Sequence, residues 1–195
     1  MHQPCKGHLV APKGVLKYLK GAQTYGIKYS KVSHFHLTSY LDSNFDGDKE
    51  HGVSISGYLM NSGSTSITWR SREQFVHVDF TTEVEYVATT QATKEIIFLR
   101  KILEHLMEKQ KTSTTQLIDN SSAIQLAKNP KFHDWNKQIN TKYHLIWHHV
   151  DAKTIYVFTH CSTSEQIADN FNKSLGNDKF EKFRSLLGME NVSLD

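Results

Sequence analysis

The hydrophobic and polar positions in the first half of the chain alternate over short stretches, a two-residue period that is typical of β-strands. In one stretch Leu37 and Leu41 fall on one face, with Tyr40 and Asp42 on the other. The pattern is interrupted by polar turns, the first at 47–52, and it predicts strands at residues 35–45, 53–60 and 65–71. Because consecutive strands joined by short turns usually pair, we expect an antiparallel meander.

A helical period replaces the alternation over residues 82–106. The apolar stripe of this predicted helix consists of Ala88, Ala92, Ile96, Leu99 and Leu103. Glu85 lies at the centre of the stripe, whereas Glu83 lies roughly 160° away and is an ordinary helix N-terminal carboxylate. Glu85 is either a functional carboxylate directed at the sheet or the reach-back partner of a capping box with Thr82. Periodicity alone favours neither explanation.

Predicted strands and helices alternate in the second half of the chain. The strands are at 114–119 and 154–160, and the helices are at 122–128, 140–152, 164–171 and 179–188. Three strands, a long helix and then this alternation predict an α/β domain with a mixed sheet. The first thirty residues precede the pattern and have no evident place in the sheet.

The composition is that of a globular chain. It has 195 residues, of which 38% are hydrophobic and 22% are charged. The apolar runs are too short to span a bilayer, and the N-terminal ten residues lack the apolar segment of a secretory signal. The formal net charge of +3 permits a polyanionic partner without requiring one.

The cysteines and histidines carry weaker signals than the acids. Cys5 and Cys161 have no metal-like spacing, so we expect free thiols in a reducing compartment. His144 and His148 stand four apart, on one helical face, but no acidic residue lies between them and no third ligand is evident. A metal site at these histidines is therefore the lesser expectation.

Three further acids occupy unusual positions. Asp42 lies inside a predicted strand, where aspartate is disfavoured. Asp119 ends a strand just before a helix, which is where open α/β sheets build ligand sites. Asp169 interrupts the short predicted helix at 164–171. For each of them alone, a turn, a helix cap or a solvated face explains the position at least as readily as a functional role does.

Seven segments in order resemble the ribonuclease H domain of copia-type retrotransposon Pol polyproteins: YLDSNFDGD, SISGYL, ITWRSREQ, TTEVEYVA, IDNSSAIQLAKNPKFH, NTKYHLIWHHV and HCSTSEQIADNFNKSLG. The upstream HLVAPKGVLKYLKGAQTYGIKY resembles the last helix of a reverse transcriptase. The resemblance implies a remnant of the reverse transcriptase C-terminal helix and connection over 1–30. Over 31–195 it implies a ribonuclease H-like fold, with a five-stranded mixed sheet flanked by helices.

The same resemblance implies four catalytic, metal-binding carboxylates, Asp42, Glu85, Asp119 and Asp169. In the family two Mg²⁺ ions, which Mn²⁺ can replace, are held by such acids. Asp42 would contact both ions, Glu85 and Asp119 one, and Asp169 the other. Two ions about 3.5–4 Å apart activate the attacking water and stabilise the leaving oxygen of a phosphodiester. Mg²⁺ takes oxygen ligands, so carboxylates suit it and thiols do not.

The implied reaction is hydrolysis of the RNA strand of an RNA–DNA hybrid, beside the reverse transcriptase domain of the parent polyprotein. Asn120, Ser121 and Ser122 are candidates for contacting the hybrid. The implied location is a cytoplasmic virus-like particle or the nucleus, without a membrane. The chain departs from the family pattern at Asn44, Phe45, Asp79, Gln138 and Asn172, among other positions, and none of these is expected to touch the four acids.

Two other interpretations remain at this stage. The chain could be a non-catalytic, degenerate retrotransposon remnant with weak nucleic-acid binding. It could also be another nuclease of the same fold, such as an integrase or a 3′–5′ exonuclease. The order of the four acids and the copia-type motifs argue against the second interpretation.

Overall fold

A five-stranded sheet lies at the centre of the computed structural model, which describes residues 5–31, 35–48, 53–63, 65–74, 81–121, 124 and 137–192. The strands are β1 (Tyr25–Ile27), β2 (Leu37–Asp48), β3 (Val53–Ser62), β4 (Thr65–Glu73), β5 (Thr114–Ile118), β6 (Ile155–His160) and β7 (Met189–Asn191). The helices are α1 (Lys6–Gly21), α2 (Thr81–His105), α3 (Lys137–Asp151), a 3-10 helix (Ile167–Phe171) and α4 (Asn177–Leu186).

The strand order of the central sheet is β4-β3-β2-β5-β6. The first three strands pair antiparallel, whereas β2–β5 and β5–β6 pair parallel. The predicted meander and the mixed α/β sheet are therefore confirmed. The strand predicted at 35–45 is longer than expected, because after a register shift Asp48 pairs with Val53. Two residues of the predicted turn, Gly47 and Asp48, therefore belong to β2.

Helices cover both faces of the sheet. On one face α2 and α3 pack over Leu37, Leu41 and Met60, while on the other the 3-10 helix and α4 pack over Leu59. Four of the five residues of the predicted α2 stripe are buried and Leu99 is partly buried, with Ala92 and Ile96 fully inaccessible to solvent. Within the described residues, no helix is both long and apolar enough to cross a bilayer.

The segment that carries Asp169 is shorter and more tightly wound than the helix predicted at 164–171. Only Ile167–Phe171 is helical, and it is a 3-10 helix. It lies directly on β3: a Cβ atom added at Gly57 would meet the Ala168 carbonyl oxygen and the Phe171 Cβ at 3.0 Å each. Glycine at this position therefore lets the backbone approach the sheet. The helix predicted at 122–128 lies outside the described residues, apart from Ile124.

The first thirty residues divide into two parts. No residue of α1 is buried, and its apolar side chains, among them Val15, Leu16 and Leu19, are exposed. The α1 helix contacts α4 through Tyr18, whose ring meets that of Phe180 edge-on with 5.9 Å between centroids. Residues 24–29 are attached more firmly to the rest of the chain. There β1 pairs antiparallel with β7, and the Tyr29 hydroxyl donates a 2.8 Å hydrogen bond to the Ser66 carbonyl. The sequence pattern did not predict this second, two-stranded sheet.

Deleting residues 1–21 should leave the melting temperature almost unchanged, because α1 buries none of its residues. Deleting residues 1–30 should lower it by several degrees more, because β1 and the Tyr29 hydrogen bond are then lost. Thermal unfolding followed by circular dichroism compares the two truncations with the full chain. An equal, large fall in both would show that α1 belongs to the folded core.

Candidate active site

The pairing of β2 with β5 places Asp42 beside Asp119. In this parallel pair Tyr40 lies opposite Leu117. Asp42 and Asp119 each follow by two residues, and side chains two residues apart along a strand point to the same face of the sheet. Asp119 follows the last residue of β5, at the carboxyl end of the strand. Such ends are where open α/β sheets place their ligand sites. The strand register alone thus brings two carboxylates together.

Helix α2 adds the third carboxylate. Glu85 is only 5% exposed, which confirms the sequence-based expectation that its side chain is directed inward. The start of the helix is anchored by buried Gln74, whose Nε2 donates a 3.0 Å hydrogen bond to the Val84 carbonyl and a further one to Ser56 Oγ. The side chains of Thr82 and Glu83 lie outside the described residues, so the capping-box alternative stays open.

Asp42, Glu85 and Asp119 form a group with the geometry of a metal site. One ligand atom from each lies within 4.8 Å of the others. The Oε2 atom of Glu85 is buried and has no hydrogen-bond partner among the residues that the structure describes, so a cation would satisfy it. All three donors are carboxylate oxygens, which suit a hard divalent ion such as Mg²⁺. Among the described residues this is the one such group, and His144 and His148 take no part in one.

The electrostatics of this group favour a bound cation. Burial, above all, and the nearby Asp42 charge together raise the pKa of Glu85 to about 8. Burial also raises the pKa of Asp42 to about 7, against the opposing effect of the Lys173 ammonium. Near neutral pH these two carboxylates therefore retain protons at the position where a metal ion would bind. A divalent cation would displace them and restore the charge on both acids.

Asp169 lies beside the group but has different partners. The 3-10 helix buries it completely. Its Oδ1 atom lies 2.9 Å from Lys173 Nζ and its Oδ2 atom lies 2.6 Å from Lys179 Nζ. Burial alone would raise the pKa of Asp169, but the hydrogen bonds from these two lysines outweigh it and hold that pKa below its ordinary value. Lys173 also contacts Asp42, with 2.7 Å between Nζ and Oδ2.

Gln166 ties this segment to the strands that carry the other aspartates. Its side chain is fully buried, and Nε2 donates to the carbonyl oxygens of Leu41, at 3.0 Å, and Leu117, at 3.4 Å. These carbonyls precede Asp42 by one residue and Asp119 by two. The sequence reading did not single out Gln166, and its only signal is a glutamine inside the motif that contains Asp169.

One expectation about the departures from the family pattern is wrong. Asn172 was expected not to touch the four acids, but its Nδ2 donates a 2.7 Å hydrogen bond to Asp42 Oδ2. Asn44 contributes indirectly, because its Nδ2 donates to the Asn172 carbonyl at 3.2 Å. The amide of Asn172 reaches Asp42 because the chain folds back over β2 after the 3-10 helix, which sequence periodicity does not reveal.

The candidate substrate residues lie next to the carboxylate group. Asn120 and Ser121 directly follow Asp119, and Ser121 is exposed. The Asn120 carbonyl accepts a 3.2 Å hydrogen bond from the Ile124 amide. Ser122 lies outside the described residues. The first two residues lie at the same edge of the sheet as the carboxylate group, and their role stays a prediction.

Comparison with known proteins yields both relatives and a fold. No family model matches the sequence. The chain is 34% identical over 192 residues to the retrovirus-related Pol polyprotein from transposon RE1 of Arabidopsis thaliana, an alignment that covers 98% of the chain and 13% of the polyprotein. It is also 34% identical over 189 residues to the retrovirus-related Pol polyprotein from transposon TNT 1-94 of Nicotiana tabacum, an alignment that covers 97% of the chain and 14% of the polyprotein. The chain thus spans about a seventh of these relatives.

Among solved structures, LC11-RNase H1 in complex with an RNA/DNA hybrid superposes with a TM-score of 0.51. The superposition covers 69% of this chain and 92% of that one, at 14% identity. The superposition therefore places the chain in the class of proteins with the ribonuclease H-like fold. Within that class, the chain belongs to the retrovirus-related Pol polyproteins of copia-type transposons and corresponds to their ribonuclease H segment.

Glu85→Gln should stabilise the metal-free protein by an amount that grows as the pH rises from about 5 to about 8. The folded wild type retains the Glu85 proton up to its pKa of about 8, whereas the unfolded chain releases it near 4.5. Wild-type stability is therefore lost across this window, and the amide variant escapes the loss. Each unit of pKa corresponds to about 1.4 kcal/mol, so a gain of up to a few kcal/mol is expected.

The measurement is the free energy of unfolding by urea, in the presence of a chelator, at several pH values. Glu108→Gln is the control, because Glu108 is exposed and lies just after the same helix. A difference between Glu85→Gln and wild type that stays constant with pH would contradict the raised pKa of Glu85.

Proposed function

We propose that this chain hydrolyses the RNA strand of RNA–DNA hybrids in a reaction that depends on Mg²⁺. The observation that carries the proposal is the group of buried Asp42, buried Glu85 and half-buried Asp119, in which one ligand atom from each lies within 4.8 Å of the others. The relatives are polyproteins of retrotransposons, and a structural neighbour of the same fold was solved with an RNA/DNA hybrid. Together these support a nuclease that serves reverse transcription.

The position of each residue in the fold indicates its role in the proposed reaction. When bound, Mg²⁺ would polarise the scissile phosphate and activate the attacking water. Asp42, from β2, and Asp119, from the end of β5, would hold the ion from the sheet, and Glu85 would hold it from α2. Asp169 would stabilise the arrangement through the Lys173 ammonium that it shares with Asp42. Asn120, Ser121 and Ser122 would contact the hybrid, whose 2′-hydroxyls distinguish its RNA strand.

The energetics of the fold support a cation site over a structural role. Buried acids close to one another repel and are costly to desolvate. No lysine or arginine forms an ion pair with Glu85 or Asp119 among the described residues, so nothing in that part of the chain offsets their burial by direct pairing. A group that destabilises the metal-free fold is expected at a site where the binding of a ligand compensates for the lost stability. Binding a cation and positioning it are the functions that such a group can serve.

A second candidate is the non-catalytic remnant with weak nucleic-acid binding. Asn172, where the family usually has threonine, donates directly to the same Asp42 oxygen that pairs with Lys173. This extra hydrogen bond engages an oxygen that the reaction would use. The remnant hypothesis therefore has a specific structural basis, and an activity assay decides between the two candidates.

The purified chain should cleave the labelled RNA strand of a hybrid in Mg²⁺ and not in a chelator. Asp119→Asn should lower the cleavage rate by orders of magnitude, because the amide is a poor ligand at a site that positions the reacting phosphate. Glu85→Gln should have a similarly large effect. Gel analysis of the cleaved strand, at matched protein concentration, gives the rates and shows whether the ends carry 3′-hydroxyl and 5′-phosphate groups.

Glu83→Gln is the control for this assay, because the helical period places Glu83 on the solvent side of α2. It should cleave at the wild-type rate. Loss of activity in Glu83→Gln with retention in Glu85→Gln would contradict the site. Absence of Mg²⁺-dependent cleavage in the folded wild type would favour the remnant hypothesis.

A further inference from the structure

An ammonium group of the protein already lies between two of the four acids. Lys173 Nζ is 2.7 Å from Asp42 Oδ2 and 2.9 Å from Asp169 Oδ1. Its side chain is 31% exposed, while both carboxylates are almost wholly buried. Two carboxylate oxygens within hydrogen-bond distance of Nζ favour the charged ammonium form of this side chain. The lysine is therefore held as a cation in this position.

The other oxygen of Asp169 is also engaged. Lys179 Nζ lies 2.6 Å from Oδ2, and the same ammonium lies 5.1 Å from the centroid of the Phe183 ring. Each oxygen of Asp169 is thus paired with a lysine that makes a second contact. Lys173 also contacts Asp42, and Lys179 also lies over the Phe183 ring. A metal ion at Asp169 would have to displace at least one of these ammonium groups.

The two halves of the carboxylate cluster therefore differ. Glu85 and Asp119 form no ion pair with lysine or arginine in the part of the chain that the structure describes, and Glu85 Oε2 lacks any hydrogen-bond partner. On the other side, Asp42 Oδ2 accepts hydrogen bonds from both Lys173 and Asn172. The half that contains Glu85 fits a divalent cation, and the half that contains Asp169 is already neutralised.

The balance of charge agrees with this division. The ammonium groups of Lys173 and Lys179, together with one divalent ion, match the charge of the four carboxylates. A second divalent ion beside the two lysines would leave an excess of two positive charges in a buried site, which desolvation opposes. The lysines and a second ion are thus alternatives for the same negative charge.

We propose that the Lys173 ammonium takes the place of a second divalent cation, so that the chain binds one divalent ion through Asp42, Glu85 and Asp119. This inference rests on the proposed function only in taking the carboxylate group as a cation site. It differs from the two-ion arrangement that the family resemblance implies. Lys173 is a positioning residue here, because it orients Asp42 and Asp169 and supplies the positive charge between them.

The test is the number of Mn²⁺ ions bound by the metal-free full chain, measured from the electron paramagnetic resonance signal of free Mn²⁺ during a titration at pH 8. The wild type should bind one ion. Lys173→Met keeps most of the side-chain volume and removes the charge, which frees oxygens of Asp42 and Asp169. It should bind two ions, with an affinity at the second site at least about tenfold above any in wild type.

Lys182→Met is the matched control. Lys182 lies on α4 and its Nζ donates to the Ser164 carbonyl at 2.8 Å, away from the acids, so this variant should bind one ion. Two ions in wild type, or one ion in folded Lys173→Met, would overturn the inference while leaving the proposed function intact. No bound ion in wild type would overturn both. Circular dichroism verifies folding, and Lys173→Gln replaces the methionine variant if that one does not fold.

Discussion

Mutual repulsion and desolvation of neighbouring carboxylates are the constraint on which this structure depends. Three acids whose ligand atoms lie within 4.8 Å of one another disfavour the folded state unless protons or a cation neutralise them. The raised pKa values of Asp42 and Glu85 are the consequence in the metal-free protein. Contacts made by other side chains must therefore hold the acid-bearing segments together.

Those contacts are distributed over the sheet and its two helical layers. The register of β2 against β5 aligns Asp42 with Asp119, and Gln74 fixes the start of the helix that carries Glu85. On the opposite face, the absence of a side chain at Gly57 lets the 3-10 helix lie on β3, and Gln166 binds it to the carbonyls of both aspartate-bearing strands. Hydrogen bonds from two glutamine side chains to the backbone, together with close packing, thus offset the repulsion at the site.

Much of this arrangement follows from periodicity. The two-residue period predicted the meander, and the helical period distinguished Glu85, which is buried, from its neighbour Glu83. The unusual positions of the aspartates, inside a strand, at a strand end and in a short helix, drew attention to acids that the fold does bring close together. These signals are local, because an element's own sequence decides which face of it is apolar. Their catalytic roles remain predictions.

The remainder depends on contacts between segments far apart in sequence. Lys173 and Asn172 meet Asp42 across about 130 residues, and no local pattern marks a lysine or an asparagine as the partner of a distant carboxylate. The three-residue strands β1 and β7 are too short to show a period, so their pairing was missed. The extension of β2 to Asp48 follows from a register shift that only the partner strand reveals.

The most direct test of the account is the melting temperature of the purified chain at pH 8 as Mg²⁺ is added, compared with that of Asp42→Asn. A site arranged for a divalent ion predicts that wild type is stabilised with increasing Mg²⁺, by about 2.7 kcal/mol at a hundred times the dissociation constant. The variant, which lacks a central ligand, should show little change. A wild-type melting temperature independent of Mg²⁺, or an equal rise in both proteins, would contradict the central claim that the carboxylate group is a cation site.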